Sequence, residues 1–136
     1  MAMRTDTRKG FITNIEDETR NNTDYRRVLY TAKHSQVVLM NLRPGEEIGM
    51  EAHDDGDQFF RFEEGQGRVI INGHEFEVSD GSAAIVPSGA MHNVVNTGPS
   101  DLKLYTIYSP PQHRDKVVES TKDRVFEEHF DGRTTE

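Results

Sequence analysis

Two short stretches of this chain carry two imidazoles, a carboxylate and a carboxamide at spacings that can converge on one ion. Glu51 and His53 stand two residues apart, so in an extended strand their side chains leave the same face and their donor atoms can meet. The run Asp54-Asp55-Gly56-Asp57 turns the chain back, and Gln58 opens the next strand. His92 lies on a third strand, after the turn Pro87-Ser88-Gly89. By alternation Phe60 and Phe62 share the face of Gln58, and Val94 shares that of His92, so these three are expected to line an apolar chamber beside the polar cluster. The chain has no cysteine, which removes disulfides, thiolate nucleophiles and thiolate zinc sites. Any metal must be held by nitrogen and oxygen.

The elements that position these groups follow from composition. With 136 residues, 33% of them hydrophobic, there is material for one compact domain with a modest core. From Tyr25 onward, short β-branched and aromatic runs are separated by Gly, Pro, Asn and Asp, the signature of an all-β chain. Strands are expected near 25–31, 36–43, 48–53, 57–64, 67–72, 75–78, 83–86, 91–97 and 102–108. Asn72-Gly73 between two alternating runs is a strong hairpin signal. Residues 1–24 read as an N-terminal arm with one strand carried by Phe11, Ile12 and Ile15, residues 25–110 as the barrel, and 111–136 as a C-terminal tail. In that tail Val117, Val118, Val125, Phe126 and Phe130 suit a short helix or an extended segment. His74, His113 and His129 read as exposed bystanders, and the aspartates of 54–57 as a solvated turn. The net charge of −8 and mean hydropathy of −0.77 describe an acidic, well-solvated surface, which disfavours nucleic acid. Without an apolar run after Arg4, Arg8 and Lys9 there is no expectation of a secretory signal or membrane span, and a cytoplasmic location is expected.

The polar cluster resembles the signature of the cupin superfamily, in particular the small single-domain, mannose-6-phosphate-isomerase-like cupins. The family's second motif is matched at Gly81, Pro87, Gly89, His92 and Asn96. Its first is matched at Gly45, His53 and Gly65, with Glu51 standing where the family has its first His and Gln58 where it has Glu. The resemblance spans about residues 25–110 and implies a double-stranded β-helix, or jelly-roll, barrel with one divalent metal in its mouth. Carried over residue by residue, it implies Glu51, His53, Gln58 and His92 as the ligands. The ligand charge stays at one carboxylate, moved across the site, and the set suits Mn, Fe, Ni or Zn. Gln58 could instead hydrogen-bond a substrate, and Glu51, if it is not a ligand, becomes a candidate general base.

Three functions fit such a cluster. The first is a non-oxidative metalloenzyme of isomerase, epimerase or lyase type acting on a small polar molecule such as a sugar or keto acid. The others are an Fe(II)-dependent dioxygenase and a non-catalytic module that binds a small molecule or metal. A phosphorylated substrate would need an inward cation, and one of Arg26 and Arg27 must face inward if 25–30 is a strand. Exposed sheet edges and the apolar arm point to a homodimer.

Overall fold

The structure is a computed structural model that describes residues 5–124 and 128–136. Nine strands are formed among the described residues: β1 (Arg26–Thr31), β2 (Gln36–Leu42), β3 (Asp57–Glu64), β4 (Gly67–Ile71), β5 (His74–Val78), β6 (Ala83–Val86), β7 (His92–Asn96), β8 (Leu102–Ser109) and β9 (Val118–Glu119). They pair antiparallel in two sheets, a six-stranded one in the order β6-β3-β8-β2-β1-β9 and a three-stranded one in the order β5-β4-β7. This is the two-sheet arrangement of a double-stranded β-helix.

The core lies between the sheets and is built by period-two burial. Val38, Met40 and Leu42 of β2, Phe60 and Phe62 of β3, and Leu102 and Leu104 of β8 are all fully buried and face Val69 of β4 and Val94 of β7 across the interior. The β4–β5 hairpin turns at Asn72 (φ 49°) and Gly73 (φ 81°), the two positive φ values that a type I′ turn demands.

Two expectations from the sequence are corrected. Among its described residues the arm forms a helix, α1 (Ile15–Asn21), and no strand: Asn14 caps it by accepting a hydrogen bond from Asp17 N at 3.1 Å, and Glu16, Asp17 and Glu18 occupy the positive end of its dipole. Segment 48–53 is also not a continuous strand. It runs beside β7 and touches it as isolated bridges, Glu47 to Val95 and Glu51 to His92, because Gly49 at φ 105° breaks the pleat and turns its N–H to Asn93 Oδ1 at 2.8 Å.

The tail returns across the barrel. Val117 is buried in the core, β9 pairs with β1, and a 3₁₀ turn follows at Lys122–Arg124. Val125 and Phe126 lie outside the described residues. The buried Gln36 side chain fastens the tail to β2, accepting from His113 N at 3.1 Å and donating to His113 O at 2.7 Å. Thr135 N donates to Thr31 O at 2.9 Å, and Glu136 accepts from Lys9 N, Gly10 N and the Tyr30 hydroxyl.

Candidate metal centre

The site is assembled by one backbone bridge. Glu51 N donates to His92 O at 2.9 Å and His92 N to Glu51 O at 2.8 Å, which sets the two side chains abreast. His53 follows two residues later, and its carbonyl accepts from Gly89 N at 2.9 Å, so the turn before β7 pins the loop that carries it. Ligating atoms of Glu51, His53 and His92 lie within 4.8 Å of one another. Glu51 Oε1 is 3.4 Å from His53 Nε2 and 3.6 Å from His92 Nε2. Gln58, buried on β3, completes the group from the other sheet, with its Oε1 3.1 Å from His92 Nε2. The four residues singled out from the sequence are therefore brought together.

Electrostatics bind the cluster. Burial pushes the Glu51 carboxyl up, but the imidazoles of His53 and His92 beside it outweigh that and hold it down at about 2. The same Glu51 contact raises His53, against the opposing effect of burial. A buried polar atom remains without a hydrogen bond here: His53 Nε2 faces the cluster with no properly aligned partner. An orphaned imidazole nitrogen beside a carboxylate and a second imidazole is what a divalent ion would satisfy, so the residues fit a metal.

A cavity of about 440 Å³ opens over Glu51 and His53. Its wall is formed by Tyr25, Arg26, Ile48 and Ala52 together with the tail residues Gln112, His113, Lys122, Glu128 and His129. Arg26 is the inward-facing arginine of β1. It is 92% buried (8% relative exposure), with Nη1 on Glu119 Oε1 at 2.7 Å and Nε without a hydrogen bond. Phe60, Phe62 and Val94 are corrected as pocket residues. All three are fully buried in the core, Phe60 setting its ring against the edge of His92 at 6.1 Å, because the chamber between the sheets is filled by side chains and the opening lies beyond the polar cluster.

His113 is corrected too, since it is no exposed bystander. Its Nε2 lies 3.3 Å from the Tyr108 hydroxyl, and burial, with Arg26 nearby, lowers its pKa from 6.5 to about 3. Tyr108 packs edge-on against His53 and is itself raised by burial. Nothing local in the sequence marks Gln112, His113 or His129, because only the return of the tail brings them to the cavity. Tyr108 and Arg26 were findable: Tyr108 pairs directly across from Gln58, and Arg26 was one of two candidates by alternation.

His113 predicts an acid sensitivity. The folded protein keeps the ring neutral down to about pH 3 while the unfolded chain protonates it below about 6.5, so stability is complete above pH 6.5 and falls as the pH drops towards 3. The loss from this group at pH 4 is on the order of 3 kcal/mol. Urea unfolding at pH 7 and pH 4 should show that His113→Gln loses less stability on acidification than the wild type. Equal losses would refute the assignment.

Residues 38–108 match the family model described as the Cupin domain. The chain is a cupin. This cupin is 46% identical over 120 residues to the uncharacterised protein YrkC of Bacillus subtilis, covering 84% of this chain and 64% of that one, so it spans less than two thirds of that relative. It superposes on a crystal structure from Bacillus halodurans with a TM-score of 0.83 and 46% identity, covering 86% of this cupin and 93% of that protein. It is also 28% identical over 79 residues to a Thermotoga maritima protein named as oxalate-binding, covering 56% of this chain and 65% of the relative. None of the helices among the described residues of this cupin is long and apolar enough to cross a membrane.

Proposed function

We propose that this cupin holds one divalent transition metal on Glu51, His53, Gln58 and His92 and presents it to a small, polar, anionic molecule in the cavity, for non-oxidative chemistry of isomerase, epimerase or lyase type on a sugar or keto acid. The observation that carries this reading is the convergence of three ligating atoms within 4.8 Å around the unpartnered His53 Nε2. A bound ion would polarise a carbonyl or hydroxyl oxygen and stabilise the negative charge that develops on it. Oxygen donors on two of the four residues favour Mn or Fe over Cu or Zn. One carboxylate against a divalent ion leaves the centre positive, and Lys122 on the cavity wall adds to the attraction for an anionic group, the Arg26 charge being paired with Glu119. The imidazoles beside Glu51 keep its carboxylate ionised, which suits the role of ligand; outside the ion's ligand set, the same carboxylate is the candidate general base. His129, exposed and lining the cavity, is placed to pass a proton between ligand and solvent. The likeness to an oxalate-binding protein supports a second reading, a binding module for a small dicarboxylate without turnover.

The test loads the protein with Mn²⁺, Co²⁺ or Fe²⁺ and follows solvent-deuterium exchange into sugars and keto acids by NMR. Exchange supports the isomerase-type reading. No exchange together with calorimetric binding of oxalate selects the binding module, and oxygen uptake by the Fe(II) form selects the dioxygenase. Gln58→Glu is expected to retain the ion and tighten it by about tenfold, because a second carboxylate faces the cation. Loss of the ion in that variant, read by metal analysis of purified protein, would contradict Gln58 as a ligand. The protein is further proposed to form a homodimer, a reading supported by the sheet edges at β5 and β6, where Phe76 and Ile85 stand exposed.

A further inference from the structure

We infer that Thr106 is a positioning residue that fixes the carboxamide of Gln58 with its oxygen, and not its nitrogen, towards the ion. The inference rests on the metal reading above and adds to it the device by which an amide serves where the family has a carboxylate. A carboxamide has two nearly isosteric ends, and only the oxygen can bind a cation.

The choice of end is set by a chain of hydrogen bonds with one direction. Thr106, fully buried on β8, donates its hydroxyl proton to Phe59 O at 2.8 Å. With that proton committed, the hydroxyl oxygen can only accept, and it accepts from Gln58 Nε2 at 2.9 Å. Gln58 Oε1 is thereby turned to His92 Nε2 at 3.1 Å. On the far side of the imidazole, His92 Nδ1 lies 3.1 Å from Ala90 O, a carbonyl that can only accept, so Nδ1 carries the hydrogen. In the neutral ring Nε2 then offers a lone pair, and that lone pair faces the lone pairs of Gln58 Oε1 and Glu51 Oε1. Acceptors pointing at one another without a proton between them are stabilised by a cation placed among them. The reversed amide would instead give His92 Nε2 an ordinary N–H donor and tie up that ligand. Thr106 stands against that reversal.

The consequence is specific to glutamine. In a Gln58→Glu background both ends of the side chain are oxygens, and there is nothing left for Thr106 to orient. A double-mutant cycle reads this directly. Mn²⁺ and Co²⁺ affinities are measured by competition titration for the wild type, Thr106→Val, Gln58→Glu and the double variant, with thermal melts of each as a folding control. Thr106→Val is expected to weaken the ion about 10- to 100-fold in the wild-type background, the usual range for losing a supporting hydrogen bond. In the Gln58→Glu background the loss should shrink to within about threefold, and Thr106→Ser, which keeps the hydroxyl, should stay near wild type. Equal weakening in both backgrounds would make Thr106 a merely structural residue and overturn the inference while leaving the metal reading in place. A wild-type protein that binds neither ion would instead overturn the metal reading itself. Should Thr106→Val not fold, wild-type protein with ¹³C-labelled glutamine answers the same question: the Gln58 side-chain carbonyl signal is expected to move on titration with diamagnetic Zn²⁺, and an unmoved signal counts against the oxygen as ligand.

Discussion

His92→Ala is expected to yield protein from which no metal co-purifies, with affinity for Mn²⁺ or Co²⁺ reduced by more than the about 100-fold that loss of a mere supporting bond can cost. The effect is large because His92 is the residue on which the cluster is built. Glu51 Oε1 and Gln58 Oε1 both face its Nε2, and its ring is 99% buried (1% exposed), so no solvent molecule readily takes its place. The backbone bridge between residues 51 and 92 does not depend on the side chain, and the fold should survive with a loss of roughly 2 kcal/mol for the cavity left against Phe60. Metal analysis beside a circular dichroism melt separates the two effects. His74→Ala, on the exposed hairpin at β5, provides the comparison and should keep its ion. Retention of the ion by His92→Ala would remove the basis of the centre.

Phe60→Ala is expected to act on stability and to leave ligand choice alone. Phe60 has no exposed surface, stacks on Phe62 at 6.2 Å between ring centres and supports the edge of His92. Removal of a fully buried phenyl ring costs about 3–5 kcal/mol, a large share of the 5–15 kcal/mol typical of a whole domain. Urea unfolding of the metal-free protein should show this loss. Saturation with metal should recover part of it, on the order of 2.7 kcal/mol at a hundred times the dissociation constant. The molecule that binds in the cavity should be the same, since the cavity wall does not include Phe60. A changed ligand preference at unchanged stability would return Phe60 to the pocket.

These two residues also mark how far the amino-acid order could be read. His92 was legible through the family motif it forms with Gly81, Pro87, Gly89 and Asn96 and through its place on a period-two strand, and Asn72-Gly73 through the local chemistry of a hairpin turn. Phe60 was placed on the correct strand and assigned to the pocket, since alternation tells which face a residue takes and not whether that face is packed or open. The expected strand at 48–53 failed for a local reason, the positive φ of Gly49, and the pairing that brings Glu51 to His92 survived as a single bridge. In the arm, Asn14 followed by three acidic residues is a helix-start signal that outweighed the apolar spacing of Phe11, Ile12 and Ile15. The cavity wall was the least legible part. His113 and Gln112 reach it because Gln36, some seventy-six positions earlier in the chain, holds their backbone, and no short-range pattern encodes so distant a partnership.

The tail that arches over the opening has a wider consequence. The four groups proposed to hold the ion all fall within residues 38–108, the stretch by which the family is defined, whereas Tyr25, Arg26 and every wall residue from Gln112 to His129 fall outside it. On the proposed reading, the groups that hold the ion lie on one length of polypeptide and most of the wall around them on others. If the proposed centre is correct, a relative could keep the ion's ligands while differing in the flanking segments, and kinship across the shared stretch would then say little about the molecule each one accepts.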